Sequence, residues 1–222
     1  MRLGGCLAEL DAALRHFRHP GERQVLIWDM QRALALRDFL VHISDVRDRE
    51  RVARCLDDFE RRVEPRLGSL RRQVIHNDLH GGNVLVMPDR PDEVSGVIDF
   101  GDMLYAPLVI DVAIAASYLR DDGSNGLEPA LALIAGFDSV TRLSDEERLL
   151  LHDLIRARLA ATIAIMQWRR SARDPSDEYL QEGLRNEGSA ERFLARLDEM
   201  TAGQFAALID DRCAHSPQIR SI

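Results

Sequence analysis

The spacing of apolar residues predicts that the first third of the chain is helical. Apolar side chains recur every three or four residues between residues 3 and 17, which is the period of an amphipathic α-helix. A Pro-Gly pair at residues 20 and 21 is expected to end this helix. The same period predicts helices over residues 29–42 and 45–63.

The middle of the chain has a different pattern. Short runs rich in β-branched residues occupy residues 74–76, 84–87 and 94–98, and Pro and Asp are frequent between the last two. This pattern predicts short strands, the last two of which form a hairpin. Asn83 precedes one strand of the hairpin and Asp99 follows the other, so we expect these two residues to lie side by side.

Helical patterns return after residue 107. Helices are predicted over residues 111–119 and 128–137, and a longer one, opened by a capping box of Ser144 and Glu147, extends to about residue 170. Two shorter helices are predicted over residues 177–184 and 189–210. The expected fold class is therefore α+β, mainly α, with one small β element.

Composition narrows the functional classes. A chain of 222 residues with 45% hydrophobic and 30% charged residues can form one globular domain. Its net charge of -8 argues against a nucleic-acid partner and suits a cationic small molecule. Three widely spaced cysteines without a CxxC pattern indicate no disulfide framework, which predicts a cytoplasmic protein. No apolar run approaches the length of a membrane span, so no membrane partner is expected.

The segment from His76 to Asn83 contains the residues best suited to chemistry. Asp78 can accept or align the proton of a hydroxyl group, and the side-chain oxygens of Asn83 and Asp99 are ligands that Mg²⁺ prefers. Each residue alone could simply cap a turn, but their joint spacing is what phosphoryl transfer from a Mg-nucleotide requires. His80 fits substrate contact and solvent exposure equally well.

These residues resemble a known superfamily. His76-x-Asp78-Leu79-x-x-x-Asn83 and Asp99-Phe100-Gly101 resemble the catalytic and metal loops of the protein-kinase-like fold. The run from His80 to Leu85, with Asp111 close behind Asp99, resembles the aminoglycoside phosphotransferase family. Residues 95–105 are similar to its hydroxylysine kinase branch.

The resemblance implies a role for individual residues. Asp78 would be the catalytic base, Asn83 and Asp99 the magnesium ligands, and ATP or GTP the phosphate donor. Asp111 would be a buried carboxylate that tethers the catalytic loop, which His76 also supports. Further residues are candidates for contact with the substrate, and each also has a purely structural interpretation: His80, Asp102, Tyr105 and Trp168.

The resemblance also implies an architecture. The whole chain, residues 1–222, would form the C-terminal lobe of a kinase, with the N-terminal β lobe absent. Residues 1–70 would be leading helices and a linker, residues 71–106 would carry the catalytic and metal loops, and residues 107–222 would form the helical substrate side. Because an apolar helix follows Gly101 closely, there is no room for the activation loop of a protein kinase, and a small-molecule acceptor is implied.

The chain departs from the family pattern in one respect. It contains no lysine and no glycine-rich GxGxxG motif before residue 76, so the usual phosphate clamp is missing. It could be a lobe of a longer kinase, a shortened paralogue, or a chain completed by another polypeptide. Each alternative leaves an apolar face exposed, which would favour a homodimer or the missing lobe as partner.

Two functions therefore remain open. The first is transfer of the terminal phosphate of ATP or GTP to a hydroxyl of a small amine-bearing molecule, such as a hydroxylysine-like or aminoglycoside-like acceptor. The second is a non-catalytic, pseudokinase-like binding module.

Overall fold

The computed structural model describes residues 2–120, 126–172 and 178–215. These residues contain seven α-helices and four short β-strands, joined by loops and 3-10 helices. The expectation of a mainly helical α+β protein is confirmed. The strands are β1 (Arg72–Ile75), β2 (Val84–Met87), β3 (Arg90–Val97) and β4 (Leu104–Pro107). The helices are α1 (Arg2–Leu14), α2 (Val46–Asp58), α3 (Leu108–Tyr118), α4 (Glu128–Asp138), α5 (Asp145–Ala172), α6 (Glu178–Leu197) and α7 (Ala202–Ala214).

The predicted helices of the first third are present, with one change of type. The second is a 3-10 helix, Met30–His42, which the Asp29 carboxylate caps by accepting a hydrogen bond from the backbone N–H of Gln31. It is interrupted at Arg32, whose backbone leaves the helical region. Helix α2 begins after Asp45, which caps two backbone N–H groups, and continues into one π-helical turn, Phe59–Val63.

The predicted hairpin is confirmed, and the structure adds a second strand pair. Strands β2 and β3 run antiparallel with Val84 opposite Val97, and the N–H of Ile98 donates to the carbonyl of Asn83 at 3.0 Å. Asn83 and Asp99 therefore lie at the same end of the hairpin. The additional pair joins β1 to β4, with Ile75 opposite Leu104. Strand β4 has only four residues and ends in proline, so its sequence gives little strand signal.

Helix α5 is the centre of the molecule. Every residue from position 150 to position 166 is buried, because α2, α3, α6, α7 and the 3-10 helix Met30–His42 all pack against it. A helix surrounded on all sides is normally apolar, yet this stretch includes Arg156 and Arg158. None of the described helices, α5 included, is long and apolar enough to cross a bilayer.

The predicted boundary between the last two helices is wrong. It was expected near residues 185–188, whereas α6 continues to Leu197 and α7 begins after Thr201. The hydroxyl of Thr201 accepts from the N–H of Gln204, and the Gln204 side chain accepts from the N–H of Thr201. This capping box starts α7, while the glycine at position 188 is tolerated inside α6 because Ala190 and Leu194 anchor the helix in the core.

Apolar side chains of the hairpin and of the residue after it are exposed, as expected. Leu85, Val86 and Ile98 are each between 43% and 49% exposed, next to the ends that carry Asn83 and Asp99. That a second copy of the chain or the missing lobe covers these side chains stays a prediction.

The contact between α1 and α4 depends on a glycine. A Cβ at Gly4 would lie 2.0 Å from the backbone oxygen of Leu133 and 2.8 Å from the backbone nitrogen of Phe137. Because backbone atoms cannot move aside cheaply, Gly4→Ala should lower the free energy of unfolding by about 1–3 kcal/mol. Urea unfolding followed by circular dichroism measures this change.

Gly5→Ala is the matched control, since its Cβ would meet no atom closer than 3.8 Å. It should leave the stability unchanged or raise it by up to about 1 kcal/mol through helix propensity. Equal stability of the two variants would contradict the close approach of α1 and α4.

Candidate active site

A buried carboxylate fixes the loop that follows β1. Asp111 lies in the first turn of α3, fully buried, and accepts hydrogen bonds from the backbone N–H groups of His76 at 2.9 Å and Asn77 at 2.8 Å. Asn77 has a φ of 67°, in the left-handed region that asparagine tolerates better than most residues. The two hydrogen bonds hold the backbone in this conformation directly before Asp78.

His76 joins this loop to the segment that carries Asp99. Its ring is fully buried, and Nδ1 accepts from the N–H of Asp78 at 3.3 Å. Nε2 therefore carries the proton and donates to the carbonyl of Ile98 at 3.1 Å. The ring also packs against Phe100, with 5.0 Å between the ring centroids. His76 thus lies beneath the loop and links the two segments.

The Asp78 carboxylate is surrounded by groups that can donate a hydrogen bond. The hydroxyl of Tyr118 donates to Oδ1 at 2.9 Å, and Nη2 of Arg158 lies 3.6 Å from the same oxygen. Nδ2 of Asn83 lies 3.4 Å from Oδ2, and Nε2 of His80 lies 3.6 Å from it. The carboxylate keeps partial exposure, with 22% of the side chain accessible. It can therefore receive a proton from a bound molecule.

Asn83 and Asp99 provide oxygen atoms that no described residue uses. Asn83 directs its amide nitrogen to the backbone oxygen of Asp78 at 2.9 Å, which leaves its side-chain oxygen without a donor among the described residues. The Asp99 backbone is left-handed, with a φ of 64°, and its side chain lies at the surface. An amide oxygen and a carboxylate fit Mg²⁺, which needs few protein ligands when phosphates and water supply the rest.

The carboxylates of Asp78, Asp99 and Asp102 repel one another. Burial raises the pKa of Asp102, the negative charges of Asp78 and Asp99 raise it further, and Arg158 opposes the change. Burial also raises the pKa of the Tyr118 hydroxyl, so Tyr118 is protonated at neutral pH and able to donate. A bound cation would relieve the repulsion among the three carboxylates.

The structure separates the candidate substrate residues into two groups. His80 and Asp102 lie at the site: the His80 ring packs on Tyr118 at 4.8 Å, and its Nδ1 accepts from the N–H of Gly82 at 3.0 Å. Tyr105 lies between the guanidinium groups of Arg18 and Arg72, each 5.4 Å from its ring, at a separate cavity of about 380 Å³. Trp168 packs edge-on against Phe39 at 5.1 Å.

Two residues of the site, Tyr118 and Arg158, were not predicted from the sequence. Arg158 is 3% exposed, and its guanidinium carbon lies 4.5 Å from the centre of the Trp28 ring. One signal was available, because an arginine inside the apolar stretch 157–166 is unusual for a buried helix. No comparable signal marks Tyr118, which is the last residue of α3.

A second acidic residue lies behind the loop. Asp11 of α1 is 1% exposed, and its carboxyl oxygens have no hydrogen-bond donor among the described residues. Burial raises the pKa of Asp11 well above its usual value, and the negative charge of Asp111 raises it further. Asp111, with two backbone donors, is the better anion of the two, so Asp11 is the residue that keeps its proton.

Comparison with known proteins identifies the family that the chain resembles. The model of the phosphotransferase enzyme family APH matches residues 2–150. Hydroxylysine kinase of Mus musculus is 30% identical over 188 residues, which cover 80% of this chain and 50% of that protein. The chain thus spans about half the length of the curated relatives it matches. The resemblance to this family and to its hydroxylysine kinase branch is confirmed.

Solved structures show the same fold at low sequence identity. A microcompartment-associated aminopropanol kinase superposes with a TM-score of 0.63 at 22% identity, covering 88% of this chain and 62% of that one. Amicoumacin kinase, solved in complex with AMP-PNP, Ca²⁺ and Ami, has a TM-score of 0.58 at 16% identity, covering 90% of this chain and 59% of that one.

Asp11→Asn tests the protonated carboxyl group behind the loop. Because the pKa of Asp11 is raised by folding, its contribution to stability is fully present below the unfolded value of about 3.9 and is lost as the pH rises towards the folded value. Asparagine cannot ionise, so the variant should have a higher melting temperature than the wild type at pH 8 and a flatter pH dependence between pH 5 and 8.

Glu9→Gln is the control, since Glu9 is an exposed carboxylate on the same helix. It should leave the shape of the stability profile unchanged. A variant Asp11→Asn with the same pH dependence of stability as the wild type would contradict the retained proton on Asp11.

Proposed function

Because the chain belongs to the phosphotransferase enzyme family APH, we propose that it transfers the terminal phosphate of ATP or GTP to a hydroxyl of a small amine-bearing molecule. The observation that carries the proposal is the Asp78 carboxylate, held partly exposed on a fixed loop, with the unused oxygens of Asn83 and Asp99 on the adjoining segments. These side chains supply the base and the metal ligands that phosphoryl transfer needs.

Asp78 is the proposed base. The hydrogen bonds of Asp111 to the loop backbone, and of Tyr118 to Oδ1, leave the carboxylate little freedom to turn. A fixed carboxylate can align an acceptor hydroxyl and take its proton as the hydroxyl attacks the phosphate.

Asn83 and Asp99 are the proposed magnesium ligands. Asn83 is held by its amide hydrogen bond to the Asp78 backbone, which turns its side-chain oxygen away from the loop. Bound magnesium would neutralise charge that develops on the transferred phosphate. The surrounding carboxylates, Asp78 and Asp102, make a cation favourable here.

The acceptor is proposed to carry an ammonium group as well as a hydroxyl. The names of hydroxylysine kinase and aminopropanol kinase both designate compounds with an amine and a hydroxyl group. The negative charges of Asp78, Asp99 and Asp102 would attract such a cation to the site.

We assign the chain to the kinase lobe that carries the catalytic and metal loops. The exposed side chains of Leu85, Val86 and Ile98 lie beside the proposed metal ligands, where a flat nucleobase or a second protein surface could cover them. A second copy of the chain and a separate nucleotide-side lobe are the two candidates for that surface.

Asp78→Asn should reduce turnover by about a hundredfold or more, because an amide cannot take the proton of the acceptor. The measurement is ADP or GDP release with hydroxylysine and with aminopropanol as acceptors, in the presence of Mg²⁺. The melting temperature and nucleotide binding by calorimetry should change little, since the amide keeps the shape of the side chain.

Asp89→Asn, in the exposed turn of the same hairpin, is the control and should keep full activity. Undiminished turnover by Asp78→Asn would remove Asp78 as the base. If the wild type binds a partner but binds no Mg-nucleotide at millimolar concentration and phosphorylates no acceptor, the non-catalytic binding module is the better description.

A further inference from the structure

The burial of Arg158 is hard to explain by packing alone. Its side chain is 3% exposed, and neither Nε nor Nη1 has a hydrogen-bond acceptor among the described residues. Stacking on the Trp28 ring at 4.5 Å holds the guanidinium group in place. A buried charged group with unsatisfied donors lowers stability, and an apolar side chain of similar size would cost less. This unfavourable placement points to a role at the neighbouring site.

The hydrogen bonds of Arg158 lead to Asp78 in a defined direction. Nη2 lies 3.0 Å from the hydroxyl of Tyr118, which in turn lies 2.9 Å from Oδ1 of Asp78. A guanidinium group can only donate, and an ionised carboxylate can only accept. The single proton of the Tyr118 hydroxyl must therefore point to Asp78, and its oxygen accepts from Arg158.

This chain of hydrogen bonds makes the two oxygens of Asp78 unequal. Oδ1 accepts a hydrogen bond from the Tyr118 hydroxyl and lies 3.6 Å from Nη2 of Arg158. The nearest donors to Oδ2 are farther away, with Asn83 at 3.4 Å and His80 at 3.6 Å. Oδ2 is thus the oxygen that retains capacity to accept a proton from a bound hydroxyl.

We propose that Arg158 and Tyr118 are positioning residues, which hold the Asp78 carboxylate so that Oδ2 faces the acceptor hydroxyl. The proposal rests on the proposed function, since it takes Asp78 as the base. Arg158 acts on Asp78 through the Tyr118 hydroxyl and through its own charge, 3.6 Å from Oδ1. A small rotation of a catalytic carboxylate is enough to lower the rate strongly, because the reacting atoms must be aligned.

Kinetics test the role of the two residues. Tyr118→Phe removes only the hydroxyl, and Arg158→Met removes the charge while keeping much of the volume. Each should lower kcat by about 10- to 100-fold, with the KM values of nucleotide and acceptor within about threefold of the wild type. Arg158→Lys should recover part of kcat, because it restores a charged donor. Arg158→Met should keep the melting temperature of the wild type or exceed it, since it removes an unsatisfied buried charge.

Arg169→Met is the control. The guanidinium carbon of Arg169 also lies over the Trp28 ring, at 5.5 Å. Its removal should leave kcat within about twofold of the wild type. An equal loss of kcat in this variant would assign the effect to the packing of Trp28 and would overturn the proposal.

A double-mutant cycle tests the hydrogen bond without depending on activity. The unfolding equilibrium is measured for the wild type, Tyr118→Phe, Asp78→Ala and the double variant, because alanine removes the acceptor oxygen whereas asparagine would keep one. A hydrogen bond between the two side chains predicts that their effects on the unfolding constant differ from additivity by about fivefold or more. Additive effects would overturn the proposal whatever the kinetics show.

The two experiments separate this proposal from the proposed function. An active wild type with an unchanged kcat in Tyr118→Phe and Arg158→Met overturns the positioning role alone. A wild type that phosphorylates no acceptor in a full-length or complemented form overturns the proposed function and the positioning role together. Non-additive effects in the double-mutant cycle, together with a loss of kcat in Tyr118→Phe and Arg158→Met but not in Arg169→Met, support the positioning role and the proposed function.

Discussion

The site depends on one interaction, the pair of hydrogen bonds from the backbone of His76 and Asn77 to the buried carboxylate of Asp111. A carboxylate can be buried at tolerable cost only when donors satisfy its oxygens, and here the donors are backbone groups of the loop itself. The same contact holds Asn77 in its left-handed conformation and so determines where Asp78 lies. Helix α3, which carries Asp111 and ends in Tyr118, thus supports the loop at one end and contacts Asp78 at the other.

Burying that carboxylate has consequences on both sides of the loop. Behind it, Asp11 lies close enough for its pKa to be raised by burial and by Asp111, so a proton is retained between two acidic groups. In front of it, Asp78, Asp99 and Asp102 share a small region with the guanidinium group of Arg158. The chain concentrates acidic groups here at a cost in stability, as functional sites commonly do.

Helix α5 explains how an arginine can be placed next to Asp78. Its central turns are enclosed by other helices, so a side chain at position 158 has no route to solvent and must lie against Trp28 and Tyr118. The rigidity of this helix, rather than a complete set of hydrogen bonds, keeps the guanidinium group in place. A loop arginine would instead turn towards water.

The sequence by itself determined the helices of the first third, the hairpin and the start of α5, and it predicted Asp78, Asn83 and Asp99 as site residues. These follow from local periodicity, capping and the spacing of residues within one short segment, all of which a single chain displays. Asp111 was predicted only through the family resemblance. The start of α7 also has a local signal, the capping box of Thr201 and Gln204, which the prediction missed. Strand β4 and the contacts of Tyr118, Arg158 and Asp11 were decided only by the tertiary structure. Tyr118 lies 40 residues from Asp78, and Arg158 lies 40 residues beyond Tyr118. Contacts at such separations depend on how α1, α3 and α5 pack, and no local pattern encodes that packing.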